Sequence, residues 1–349
     1  ALPTLCFERA YSRAKELDYS QTPLKGIPIA IKDLMAVSGV RTTWGSKIYE
    51  HHIPIKSDLL VDRIEDRGAI VYAKSNTPEF GAGANTFNDI FGTTLNPWDM
   101  NLSAAGSSGG SAVALATGMA WLATGSDLGG SLRNPASFCG IVGLRPTIGR
   151  IPADPGPLAF DRMSVDGPMA RNVGDLALAL DAMAGFNSSD PLSLPAPEIP
   201  YANSVNPPIL PKKVGYSPDL GISTVHSEVR RIAETSIAHF EQIGSHVEEA
   251  AIDLSGANDV FHVLRAHQYL GSLGELVKES GDLIKPEVIW NVDQGRDQTV
   301  ERVASAERAR ADIFYKTLSF FGEYDLLVTP TVIVPPFSVE LRYITDVEG

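Results

Sequence analysis

Apolar and polar positions along the chain switch between a helical and a strand period. "LPTLCFERAYSRAKELD" (2–18) places apolar residues at helical spacing with charged residues between them, which predicts a helix. "GIPIAIKDLMAV" (26–37) is a short β-branched apolar run behind a glycine, which predicts a buried strand. "LLVDRIEDRGAIVYAKSNT" (59–77) reads as a helix, a glycine stop and then the strand AIVYAK. A helical run covers 111–123, and "NVGDLALALDAMAG" (172–185) is an amphipathic helix. Beyond a Pro-, Ser- and Asn-rich excursion over 186–212, KVGYS (213–217) predicts a strand. Helices follow at 227–243, 258–282 and 299–321, then an apolar strand at 324–334. No internal repeat or heptad register is present. Alternation of helix and strand predicts an α/β sheet with helices on its faces.

Composition narrows the picture without changing it. The 349 residues are 44% hydrophobic and 8% aromatic, ordinary for a globular chain with a sizeable core. A formal charge of −13 argues against a nucleic-acid-binding face. No run of 18 apolar residues exists, the longest stretches near 112–123 and 326–334 being short or broken, so no membrane association is expected. No basic-then-apolar leader stands at Ala1. The two cysteines, Cys6 and Cys139, make a disulfide framework improbable and predict a reducing, cytoplasmic setting. The seven histidines form no HExxH or Cys/His cluster, and neither GxGxxG nor a P-loop occurs, so neither a metal nor a cofactor is expected.

Candidate chemistry concentrates in two Ser/Gly clusters, GSSGGS (106–111) and SDLGGS (126–131), on either side of an apolar run. The first matches GxSxG with Ser108 at its centre, the nucleophile elbow of α/β-hydrolases. That elbow needs a strand directly before it, and the preceding NPWDMNLSAA is turn-forming. In the second, Gly129 and Gly130 allow a tight turn whose consecutive amides could hold a developing oxyanion near Ser131. A plain turn with a capping hydroxyl is the competing account. Lys32 is the third candidate. Strand alternation puts Ile27, Ile29 and Ile31 on one face and Ala30 with Lys32 on the other, both apolar. A lysine there loses hydration, its pKa falls, and the neutral amine is a competent general base.

Together these stretches resemble the amidase signature family, amide hydrolases with a Ser–cisSer–Lys triad. The resemblance runs through PLKGIPIAIKD, FGTTLNPW, GSSGGSA, GSDLGGSLRNPASFCGIVGLRPT and VDGPMARNVGD, and weakly to DLLVTPT. It implies one amidase-signature domain over 1–349, with core motifs at 26–176 and a large twisted mixed β-sheet covered by helices on both faces. It implies Ser131 as nucleophile, Ser107, 24 residues earlier, as the bridging serine behind a cis peptide, and Lys32 as base. Oxyanion amides fall on Leu128, Gly129, Gly130 and Ser131. Ser108, Asp127 and Arg133 match as supporting residues, with Asp127 and Arg133 expected as a buried ion pair. The helix after Ser108 is expected to direct its N-terminal dipole at the site. Candidate pocket walls are Phe80, Gly81 and Ala82, and the region around 160–170.

The implied activity is hydrolysis of a linear, small-molecule carboxamide through an acyl-enzyme, with no cofactor, no direct nucleic-acid partner and room for a homodimer. The alternatives are the glutaminase component of a glutamyl-tRNA amidotransferase (its A-subunit), which releases ammonia, and a catalytically idle scaffold. Leu128 and GPMAR favour a general amidase over that component. Two departures stand out. Ala105 replaces a common family glycine, which is tolerable if its φ stays negative. The chain is also shorter than family members at both ends, which reads as a fragment.

Overall fold

A computed structural model describes residues 1–160 and 163–349. Contacts within the chain group them into two compact units. The first comprises 1–207, 275–289 and 336–343; the second comprises 208–274, 290–335 and 344–349.

The first unit is built on a six-stranded mixed sheet. Its strands are β1 (Thr4–Leu5), β2 (Pro28–Lys32), β3 (Ile70–Ser75), β6 (Leu122–Asp127), β7 (Val142–Gly143) and β8 (Val165–Ala170), in the order β1-β3-β2-β6-β8-β7. A short hairpin, β4 (Phe87–Asn88) with β5 (Gly92–Thr93), lies outside it. β2 pairs in parallel with β3 and β6, while β1, β7 and β8 run antiparallel to their neighbours. Being central, β2 is covered on both faces, and this is why it is apolar from Pro28 to Ile31 instead of alternating with polar residues. Ile29 and Ile31 join α2 (Leu59–Asp66) and α5 (Val173–Met183) in one core cluster. Ala30 joins α3 (Gly109–Ala116) and α4 (Arg133–Cys139) in another on the opposite face. The α/β class and the mixed sheet with helices on both faces are therefore as read from the sequence.

Element boundaries differ where long-range pairing overrides local pattern. The helix read over 2–18 is α1 (Phe7–Glu16); Thr4 and Leu5 instead pair with Lys74 and Ala73. β2 stops at Lys32 because the chain turns there, with Met35 N–H donating to Lys32 O. The run read as one helix over 111–123 is α3 alone, then a turn and β6. Gly118 at φ +75° ends α3, since only glycine takes the left-handed region without cost.

The second unit holds a parallel three-stranded sheet, β10-β9-β11, from β9 (Lys213–Tyr216), β10 (His246–Glu249) and β11 (Leu326–Val328). Helices α6 (Ser227–Gln242) and α9 (Val300–Phe321) accompany it, and α7 (Ala257–Ser280) and α8 (Pro286–Arg296) have residues in both units. β10 and α8 carry no clear period in the sequence. Cys6 and Cys139 are both free thiols. No helix among the described residues is long and apolar enough to cross a membrane.

Candidate active site

β2 delivers Lys32 to the face it shares with Ala30, beneath the start of α3. The side chain is fully buried, and its Nζ reaches three hydroxyl oxygens: Ser107 at 2.7 Å, Ser108 at 2.9 Å and Ser126 at 3.0 Å. Burial is the main influence on the amine and lowers its pKa from 10.5 to about 7, against the opposing charges of Asp166 and Asp127. Thr124 Oγ1, on neighbouring β6, accepts the Lys32 amide N–H at 2.9 Å and holds the strand end in place.

The first Ser/Gly cluster supplies two of those hydroxyls. The Gly106–Ser107 peptide is cis, as the family resemblance implies. Ser107 and Ser108 are both buried, and α3 begins at the next residue. No strand precedes Ser108, so the elbow lacks its required context; the Ser108 hydroxyl faces Lys32 in the interior. One expectation is overturned: Ala105 has φ +55°. An L-residue there brings Cβ close to the carbonyl oxygen, at about 1–2 kcal/mol. Part of that is offset because glycine would lose more freedom on folding. Ala105→Gly is therefore expected to stabilise the protein by up to about 1 kcal/mol in denaturant titration. A loss of stability would show that burial of the Ala105 methyl group dominates instead.

The second cluster follows β6, whose last residue, Asp127, organises the loop. Its carboxylate accepts N–H bonds from Gly130 (2.8 Å) and Leu132 (3.1 Å). Arg133 Nε and Nη2 donate to the same carboxylate at 3.0 and 2.9 Å, and Arg145 Nη1 at 3.2 Å. Arg145 also donates to the Asp127 carbonyl. Burial pushes this carboxyl's pKa up, but the Arg133 bond and charge with the two amides outweigh it and hold the value at about 2. The pair with Arg133 is only half buried, the carboxylate at 0% exposure and the arginine side chain at 48%. An arginine needs no full burial here, because its planar fork can bind an inward-facing carboxylate from the rim.

Gly130 differs from its expected place among the oxyanion amides, since its N–H is already committed to Asp127. The N–H groups of Leu128, Gly129 and Ser131 donate no hydrogen bond among the described residues. Ser131, half-buried, is tied to the first cluster by Ser108 N–H donating to its carbonyl at 3.2 Å. The Gly109 and Gly110 amides at the start of α3 donate to Thr86 Oγ1 and Asn76 O, so these first two donors are spent structurally.

Phe80, Gly81 and Ala82 lie on the turn beside Ser107; a Cβ on Gly81 would sit 3.6 Å from Ser107 Oγ. The Phe80 ring contacts Tyr49, which with Trp44 and His52 forms an aromatic cluster. Of the 160–170 region, Asp161 and Arg162 lie outside the described residues, and Val165–Ala170 forms β8. Ser126, Arg145 and Thr86 were not singled out in the sequence. Nor was Lys74, whose Nζ makes a fully buried ion pair with Asp33 at 2.9 Å. The alternation that exposed Lys32 was available for Lys74 in AIVYAK, and was the one usable signal. Among the described residues, no group of His, Cys, Asp and Glu is placed to hold a metal ion.

The chain matches the Amidase family over residues 1–347. It is 35% identical over 334 residues to an acylamidase of Rhodococcus erythropolis, covering 92% of this chain and 68% of the relative. It is 39% identical over 232 residues to the A-subunit of the glutamyl-tRNA(Gln) amidotransferase of Marinomonas sp., covering 66% of this chain and 48% of the relative. The chain thus spans about half the length of that second relative. Among solved structures, a bacterial aryl acylamidase of the amidase signature family superposes with a TM-score of 0.90 at 26% identity, over 97% of this chain and 74% of the other. Buried Lys32 against Ser107, a turn-held Ser131 and these likenesses agree, and the chain belongs to the Amidase family, the amide-hydrolysing enzymes of the amidase signature.

Proposed function

We propose that this chain hydrolyses a linear carboxamide through an acyl-enzyme on Ser131. The observation that carries the reading is the 2.7 Å contact between Lys32 Nζ and Ser107 Oγ, with the amine fully buried and its pKa near 7. A neutral amine has two N–H donors and one lone pair, so of three neighbouring hydroxyls one must donate to it. Ser108 Oγ donates to Ser126 O at 3.4 Å and so faces Lys32 as an acceptor. Of the remaining two, Ser107 makes the shorter contact, and in this reading its hydroxyl donates to the Lys32 lone pair with Ser126 as second acceptor.

In this orientation Ser131 Oγ–H gives its proton to Ser107 Oγ as its oxygen attacks the amide carbon, and Ser107 passes its own proton to Lys32. The tetrahedral oxyanion is met by the amides of Leu128, Gly129 and Ser131, each such donor contributing roughly 3 kcal/mol in the transition state. The C–N bond breaks as the proton returns from Lys32 through Ser107 to the leaving nitrogen. Water then attacks the Ser131 ester with the same relay as base, and the carboxylic acid departs with the enzyme restored. No step calls on a metal or cofactor. The Asp127 network keeps the loop amides converged while the charge develops. A cytoplasmic setting belongs to the same proposal and rests on the two free thiols.

A panel of primary amides, anilides and glutamine tests the reading. Release of amine or ammonia from at least one linear amide is expected, with covalent labelling by a fluorophosphonate probe. The amidotransferase likeness supports a second reading, which glutaminase activity with copurification of a further polypeptide would favour. An enzyme that turns over none of these and takes no label would be an idle scaffold.

A further inference from the structure

The turn carrying Ser107 is pinned by one hydroxyl that does not belong to it. Thr86 is buried at 2% exposure, just before the β4–β5 hairpin. Its Oγ1 donates to Ala105 O at 2.9 Å and accepts the Gly109 N–H at 3.1 Å. One side chain therefore bridges the residues two before and two after Ser107. The glycines of the turn are the places where Thr86 comes closest. A Cβ on Gly106 would lie 2.9 Å from Thr86 Oγ1, and one on Gly109 would overlap it. Their lack of a side chain is what lets the hydroxyl reach both sides.

Thr86 is held in turn. Its carbonyl accepts the Thr94 N–H at 2.9 Å. Next to it, Asn85 Oδ1 accepts from Ser103 Oγ at 2.8 Å, and that same Oγ accepts the Ala105 N–H at 3.0 Å. The turn is thus fastened at Ala105 through both backbone groups and at Gly109 through its amide, all from the 85–86 and 103 segments. The Thr86 hydroxyl has a single proton, spent on Ala105, so the Gly109 bond uses its lone pair and both ends depend on one atom.

We propose that Thr86 is a positioning residue for the proton relay: it sets the direction of Ser107 Oγ between Lys32 and Ser131 without touching substrate. The role rests on the amidase reading above. Misplacing a reacting group by about 1 Å can cost about 10²-fold in rate. Thr86→Val keeps the shape but removes both bonds, leaving a buried carbonyl and a buried N–H unpaired. Its kcat and its rate of fluorophosphonate labelling at Ser131 should fall about 10- to 100-fold, with KM within about twofold of wild type. The pH midpoint set by Lys32 should not move. Thr86→Ser, which retains the hydroxyl, should restore kcat to within about threefold.

A folded Thr86→Val or Thr86→Ala protein with wild-type kcat and labelling rate overturns the role. So does a loss shared between kcat and KM, or a serine variant that fails to recover. If neither hydroxyl-free variant folds while Thr86→Ser does, Thr86 is a structural residue and the proposal is likewise wrong. A wild-type protein that neither hydrolyses amides nor takes the label sinks the amidase reading itself and this role with it. Wild-type labelling matched by Thr86→Val sinks the Thr86 role alone.

Discussion

Ser131→Ala is expected to lower kcat on any amide substrate by about 10³- to 10⁶-fold and to abolish fluorophosphonate labelling. Removing a nucleophile costs nearly the whole rate advantage of a catalytic unit, because the remaining members then have nothing to activate. What survives is the modest acceleration from binding and oxyanion donors. The protein itself should hardly notice. Ser131 is half-buried, it is bonded to Ser108 through its backbone carbonyl, and a surface-side Ser→Ala change shifts stability by no more than about 0.5 kcal/mol. Steady-state kinetics and a thermal melt on the same preparation check both halves. Wild-type turnover in this variant would mean that another group attacks the amide.

Lys32→Met is the second large effect, and it acts on activity and stability in opposite directions. Loss of the base should leave turnover at least about 10²-fold down across the pH range. In the wild type, activity should rise from acid pH and reach half its plateau at about pH 7, where the buried amine loses its proton. A flat profile from pH 5 to 9 would exclude Lys32 as the titrating base.

For stability, the folded-state pKa of about 7 lies below the ordinary 10.5. Between those values the unfolded chain holds a proton that the folded protein does not, so stability rises with pH across this window. Below about pH 7 the folded protein must bury the charge and the cost is complete; above about 10.5 it has vanished. At pH 7 the cost is about 4 kcal/mol, a net figure for all the amine's surroundings in the folded protein. Methionine carries no such cost. The variant should therefore be more stable than wild type at pH 7, with the advantage shrinking as pH approaches 10. Equal melting temperatures at pH 7 and pH 10 would contradict a depressed amine.

These two residues also show what was legible in one dimension. Lys32 could be found because alternation is local: with Ile29 and Ile31 turned to one face, Ala30 and Lys32 must take the other. The same rule applied to Lys74 would have found the second buried lysine, though not its partner. The helix read over 111–123 failed for a matching reason. Small apolar residues suit a buried helix and a buried strand equally, and Gly118 was the sole local sign that one became the other. Ala105 shows the limit of reasoning about a single residue, since its positive φ is imposed by the turn and not by alanine's own preference.

The sequence by itself determined the α/β class and the burial of Lys32 and, through the family resemblance, singled out Lys32, Ser107 and Ser131 as the proposed triad. Each of these depends on residue type, short-range period or motif spacing. Tertiary structure alone decided which hydroxyls meet the amine, because Ser107 and Ser126 lie 75 and 94 residues from Lys32 in the chain. It also decided that Gly130's amide is spent on Asp127, that Arg145 joins that carboxylate, and that Thr86 fastens the Ser107 turn. The physical reason is common to all of them. A hydrogen bond acts over about 3 Å, and no local period specifies which distant segment the fold will bring within that reach.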